Sequence, residues 1–141
     1  MSTKYSNGNK EYELKGDFII QVKICGINCI VEAFEEEKGL HYRTLGLKDL
    51  CGDEVEFHLS LDPSEVVRLL NHICNKVKDG FKLVDNDINS ELTGAKVKVL
   101  HRNARYSYEE NEKCFRIVFS DENFKLPDED RCNREYINQY E

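Results

Sequence analysis

The densest run of side chains able to hold an anion or a proton lies late in the chain, where Lys96, Lys98, His101, Arg102, Arg105, Tyr106 and Tyr108 follow one another. Guanidinium forks and ammonium groups recognise phosphate or carboxylate through charge-assisted bonds, and phenols and imidazole add further donors. Under a late hairpin, His101, Arg102 and Arg105 would face an anionic compound or a partner's acidic surface, with Tyr42 and Thr44 nearby. The same residues also fit a plainer arrangement. Lys96 and Lys98 then form the wet face of an amphipathic strand, while Arg102 and Arg105 pair with Glu109, Glu110 or Glu112.

Other spacings carry less. His72 and Cys74 stand two apart in a helical pattern, where ~200° of rotation separates their side chains, so they do not form a pair. Cys25 and Cys29 match two corners of a zinc site, but no second Cys or His pair with ligand spacing follows. The run Asp85 to Ser90 imitates the start of a calcium loop. Ser90 stands where the loop needs Gly, and Lys96 stands where it needs a bidentate Glu, so the segment reads as a solvated loop. Glu35, Glu36 and Glu37 fall on a hairpin tip, where water keeps carboxylates near their ordinary acidity. The chain has no Gly-rich phosphate loop, Gly-x-Ser-x-Gly turn or His-Glu-x-x-His helix. No catalytic residue, metal or cofactor is therefore expected.

The elements that position these groups follow from periodicity. Phe18, Ile20, Val22 and Ile24 alternate with polar residues, as on a strand with one wet face. A turn at Gly26 to Asn28 leads to a strand from Cys29 to Phe34, a charged tip and a return strand from Leu40 to Leu45. Val55, Phe57, Leu59 and Leu61 mark another strand, with Glu56, His58 and Ser60 on its opposite side. Asp62-Pro63-Ser64-Glu65 then supplies a helix start, and Val66, Leu69, Leu70, Ile73, Cys74 and Val77 give the apolar stripe up to Gly80. Ala95 to His101 and Lys113 to Ser120 predict two late strands, and a short helix is expected within Asp130 to Tyr140. The expected fold is α+β, an antiparallel sheet of about five or six strands against one long helix over about 63–79. Residues 1–16 are expected as a flexible tail, and 17–141 as a single domain.

Composition bounds the function. The 141 residues are 40% hydrophobic and 33% charged, enough for one core under a well-solvated surface. A net charge of −7 repels phosphate backbones and disfavours direct nucleic-acid binding. No apolar run reaches membrane-spanning length and the first ten residues are polar, so no membrane partner is expected and a cytoplasmic setting follows. The six cysteines are read there as thiols, mostly within apolar patterns.

Three segments resemble a bacterial family known as domain of unknown function 4262: Tyr42-Arg43-Thr44-Leu45-Gly46-Leu47, the passage from Ser60 to Gly80, and Phe115 to Phe119 followed by Asp121 and Leu126-Pro127. The resemblance spans about residues 26–141. It departs where Asp53-Glu54-Val55 replaces the family's His-Pro-Glu step and where Arg43 separates Tyr42 from Thr44. It implies an architecture and a bacterial, phage or large-virus setting, including a host cytoplasm, without chemistry. Three functional expectations result. The first is a noncatalytic interaction protein with a protein partner or self-association through an open sheet face or edge. The second is a domain or small enzyme that binds a small anion at 96–108. The third is an acidic inhibitor or nucleic-acid mimic.

Overall fold

The computed structural model describes residues 4–7 and 10–141. A small hairpin pairs β1 (Lys4–Asn7) with β2 (Lys10–Glu13), within the expected tail, and residues 14–16 link it to the central sheet without regular structure. Residues 1–3, 8 and 9 lie outside the described residues. The central sheet begins with β3 (Phe18–Ile24), β4 (Ile27–Glu36) and β5 (Gly39–Leu45), an antiparallel meander. Cys25 and Gly26 both take positive φ, 50° and 82°, the geometry of a two-residue turn matched to strand twist. The turn therefore falls earlier than the predicted Gly26 to Asn28. Gly39 closes the next hairpin at φ 133°, and a Cβ there would meet Ser60 Oγ at 1.8 Å.

After a four-residue helix α1 (Lys48–Cys51), β6 (Glu54–Phe57) pairs with β5, and α2 (Pro63–Lys78) crosses one face of the sheet. The chain returns through β7 (Ile88–Asn89), β8 (Val97–Asn103) and β9 (Lys113–Phe119), and a 3₁₀ turn occupies Ile137–Tyr140. The seven strands lie in the order β3-β4-β5-β6-β9-β8-β7. β9 runs parallel to β6, so the sheet is mixed rather than purely antiparallel. The reason is the crossover. The two halves of the sheet are joined through β6 and β9, strands that α2 and the late hairpin separate in sequence, and such a return aligns them. The helix also has company, since α1 and the 3₁₀ turn accompany it. No helix among the described residues is long and apolar enough to cross a membrane.

Asp62 stands at the N-cap of α2 in extended conformation, and its carbonyl accepts from the Val66 N–H at 3.0 Å. Its carboxylate makes no cap bond, and Glu65 pairs with Arg68 instead. At the other end Phe81 N–H donates to Lys76 O and Gly80 takes φ 102°, a turn that satisfies the last carbonyls. Val66, Leu69, Leu70, Ile73 and Cys74 are buried against Val31, Tyr42, Val55, Phe57, Val99 and Ile117. Ile73 is fully buried, so Ile73→Ala should cost about 2–5 kcal/mol, read as a lower urea midpoint at unchanged slope. Arg68→Ala, on the exposed side of the same helix, should stay within about 0.5 kcal/mol.

Candidate functional site

The sheet face away from α2 carries charge where an apolar layer would be expected. Register places Glu32 of β4 beside Arg43 of β5, Arg43 beside Glu56 of β6, and Glu56 beside Arg116 of β9. The four form a row of alternating sign across four strands, and their exposures are 0, 0, 1 and 6%. Buried charge persists only when it is paired and hydrogen-bonded. Arg116 Nε donates to Glu56 Oε1 at 2.9 Å across the parallel joint. Arg43 forks onto both Glu112 oxygens at 3.0 and 2.8 Å and donates to Tyr106 O at 2.6 Å. Glu32 accepts from the Lys15 and Gly16 N–H groups and from the Tyr108 hydroxyl. Arg116 also donates to the carbonyls of Gln139 and Tyr140.

Each charge thus holds down a piece of chain lying over the sheet: residues 15–16, the loop 104–112, or the C-terminal turn. Burial would raise the Glu56 carboxyl, yet His58 and Arg116 together hold it below the usual range. Glu112 is likewise held low against burial by Arg43 and the Tyr108 N–H. Glu54 is spent locally, accepting from Thr44 Oγ1 and from the Gly46 and Leu47 N–H groups. Acidic charge is therefore partly turned inward, with Glu32, Glu54, Glu56 and Asp121 all buried.

At one end of the row His41 and His58 stack with ring centres 4.3 Å apart. His58 Nδ1 lies 2.8 Å from the Glu141 carbonyl, while its buried Nε2 has no hydrogen-bond partner and sits 3.5 Å from Glu56 Oε2. Tyr106 donates to Glu36, stacks on Phe34 and lies 3.2 Å from His41 Nδ1. A cleft of about 230 Å³ opens beside Glu36, His41 and Arg105. Burial and then His58 lower His41 to about 4, and burial and Glu36 raise the Tyr106 phenol well above its ordinary value. At neutral pH this pair offers fixed hydrogen bonds rather than a ready general base.

The predicted site residues do not converge. His101 contacts Asp53 from the α2 side, whereas Arg102 on the opposite face binds Asp85 and Asn86. Arg105 lies 3.7 Å from Glu36, and Lys96 is held by Glu129. Tyr106 and Tyr108 belong to the cover of the charge row. Tyr42 donates inward to Leu61 O at 2.5 Å, and Thr44 is tied to Glu54 and the Val55 N–H. The acids that pair with Arg102 and Arg105 are Asp85 and Glu36, in place of the expected 109–112 set. Glu36 is held below the usual carboxylate range, chiefly by Tyr106, despite its place at the hairpin tip. All six cysteines are free; Cys74 is buried, and Cys25 bonds to Asn71 and Asn75 rather than sharing a site with Cys29. No group of three or more metal-ligating side chains occurs among the described residues.

The row itself escaped sequence reasoning, which left Glu56 and His58 on an outer strand face. A signal was present: Glu32 and Arg116 interrupt the apolar runs Cys29–Phe34 and Cys114–Phe119, where a wet face has no place. Two more features face solvent. One is the outer edge of β3, unpaired among the described residues. The other is a cleft of about 550 Å³ beside Leu100, lined also by Lys98, Arg102 and Arg116. Comparison with family models, curated proteins and solved structures finds no match to this chain.

Arg116→Met should cost about 3–5 kcal/mol in urea unfolding, because it leaves Glu56 buried without its cation. Adding Glu56→Leu should recover a large part of that loss. Between the exposed value of 6.5 and about 4, the unfolded chain holds a proton on His41 that the folded chain lacks. Stability should therefore decline as pH falls through that window, and His41→Phe should flatten the decline seen in urea midpoints.

Proposed function

We propose that this chain is a small interaction protein that joins a protein partner by adding a strand to β3. The observation that carries this reading is the difference between the two sheet edges. β7 ends one side with only two residues, a blunted edge, while β3 presents seven. Ile24 and Ile27 flank the two-residue turn as a pair that exchanges both backbone bonds, and the pattern alternates along the ladder. Ile20 and Val22 therefore bond inward to β4, leaving the N–H and C=O groups of Ile19, Gln21 and Lys23 outward. An extended segment adding there gains main-chain bonds, and Phe18, Ile20 and Val22 supply apolar contact on the α2 side.

The consumption of Arg43, Glu54, Glu56, Glu112 and Arg116 by internal bonds supports a noncatalytic reading of this fold. We retain the resemblance to the family of unknown function as part of the proposal. One stretch that carries it, residues 42–47, meets the segment where it departs, around Glu54, in the Thr44–Glu54 bond.

Hydrogen exchange tests the edge. In dilute protein the amides of Ile19, Gln21 and Lys23 should exchange quickly, and a synthetic peptide copying residues 17–24 should protect them. Gln21→Pro removes the central outward N–H, a change tolerated at a free edge, and should abolish the protection. Failure of the peptide to protect those three amides would sink the strand-addition reading.

A second reading rests on the cleft beside Leu100. Lys98 and Arg102 of β8 line it beside Tyr140 and Asp128, and since Arg116 is held by Glu56 and Arg102 is shared with Asp85, a small anion there would rest mainly on Lys98 and compete with Asp85 for Arg102. Pyrophosphate or citrate should then raise the melting temperature, and the paired change Lys98→Ala and Arg102→Ala should remove the rise. An unshifted melting curve in millimolar anion rejects it.

A further inference from the structure

We infer that the strand added at β3 is the β3 strand of a second copy of this chain, running antiparallel with the two-fold axis at Gln21. The inference rests on the strand-addition reading and names its partner. With the axis at Gln21, the outward-bonding residues meet their own kind: Gln21 faces Gln21, and Ile19 faces Lys23 of the other copy. Those pairs would form roughly six backbone bonds along the strand. The intervening residues then pair as Phe18 with Ile24 and Ile20 with Val22. These are non-hydrogen-bonded pairs, in which side chains stand closest.

All four of those residues lie on the α2 side of the sheet. Phe18 is 54% exposed, Ile20 and Val22 are partly buried, and Ile24 is fully buried. Pairing extends one apolar layer through the axis into the other copy and covers Phe18, a large aromatic that the chain leaves open. This register uses all seven residues of β3, whereas a shift to an axis at Ile20 or Val22 carries part of the strand beyond its end.

Charge favours the same partner. Lys23 has no carboxylate partner among the described residues. Asp17, the residue before the strand, gives one oxygen to the Glu35 N–H. In the proposed register Lys23 of each copy stands two positions along the ladder from Asp17 of the other, the residue just before the strand, and symmetry brings the two charges together twice. A lone lysine on an edge strand ordinarily discourages pairing. Here a second copy supplies its counter-ion, and an arbitrary extended segment does not.

Sedimentation and light scattering of the full chain over a concentration series should show a monomer–dimer equilibrium. Lys23→Asp should weaken dimerisation on the order of tenfold, since two favourable diagonals become repulsive. Gln21→Pro should yield a monomer with unchanged circular dichroism; Lys23→Asp carries the test if that variant misfolds. Under mild oxidation Gln21→Cys should form a disulfide-linked dimer beyond the wild-type background, while Lys23→Cys should not, because the axis separates the two copies of residue 23. A monomer at every concentration overturns the proposal, as does cross-linking at residue 20 or 22 in place of 21. If the chain is monomeric yet the 17–24 peptide protects the edge amides, strand addition survives and the second copy is wrong. If the peptide also fails, both fall.

Discussion

The ion pair between Glu56 and Arg116 spans the one parallel joint of the sheet, where β6 meets β9. Everything before that joint is a local meander, and everything after it is a second meander arriving from the far side of α2. Two strands so distant in sequence find a register only if something at the seam distinguishes one alignment from its neighbours. A slip of one residue in β9 would turn Arg116 onto the apolar α2 face and leave Glu56 buried without its cation. Because isolated buried charges are so unfavourable, the pair acts more by forbidding wrong alignments than by adding net stability.

The two faces of the sheet are consequently held by different forces. Under α2 the contact is apolar and nondirectional, with helix residues packed on Val31, Val55, Val99 and Ile117. On the other face, chain segments without long regular structure are fixed by directed bonds to Glu32, Arg43 and Arg116. Directed bonds suit that task. The loop 104–112 lays the rings of Tyr106 and Tyr108 on the sheet, and the Arg43 guanidinium fork fixes its position and its orientation.

Much of the fold was legible because it is local. The period-two alternation of β3, the Gly39 tip, the Asp62-Pro63 start and the apolar stripe of α2 each depend on residues close in sequence. The mixed sheet was not, since neighbouring-strand logic sees hairpins and is blind to a crossover that inserts β9 beside β6. The site was less legible still. His101 and Arg102 are adjacent in sequence, and their adjacency suggested a shared patch, yet successive strand residues point to opposite faces. The buried row was hidden for the opposite reason: its members come from four strands, and register alone brings them together.

The Cys25–Gly26 turn is bound to the helix from three directions. Its Cys25 N–H and thiol donate to Asn71, and its carbonyl accepts from Lys78 Nζ. Cys25 is also a non-glycine residue at φ 50°, a conformation maintained by surrounding bonds more than by its own preference. The outermost strand is thereby riveted to the back half of α2. Mechanical load on that rim passes directly into the middle of the molecule, so β3 behaves as part of the frame and not as a loose flap.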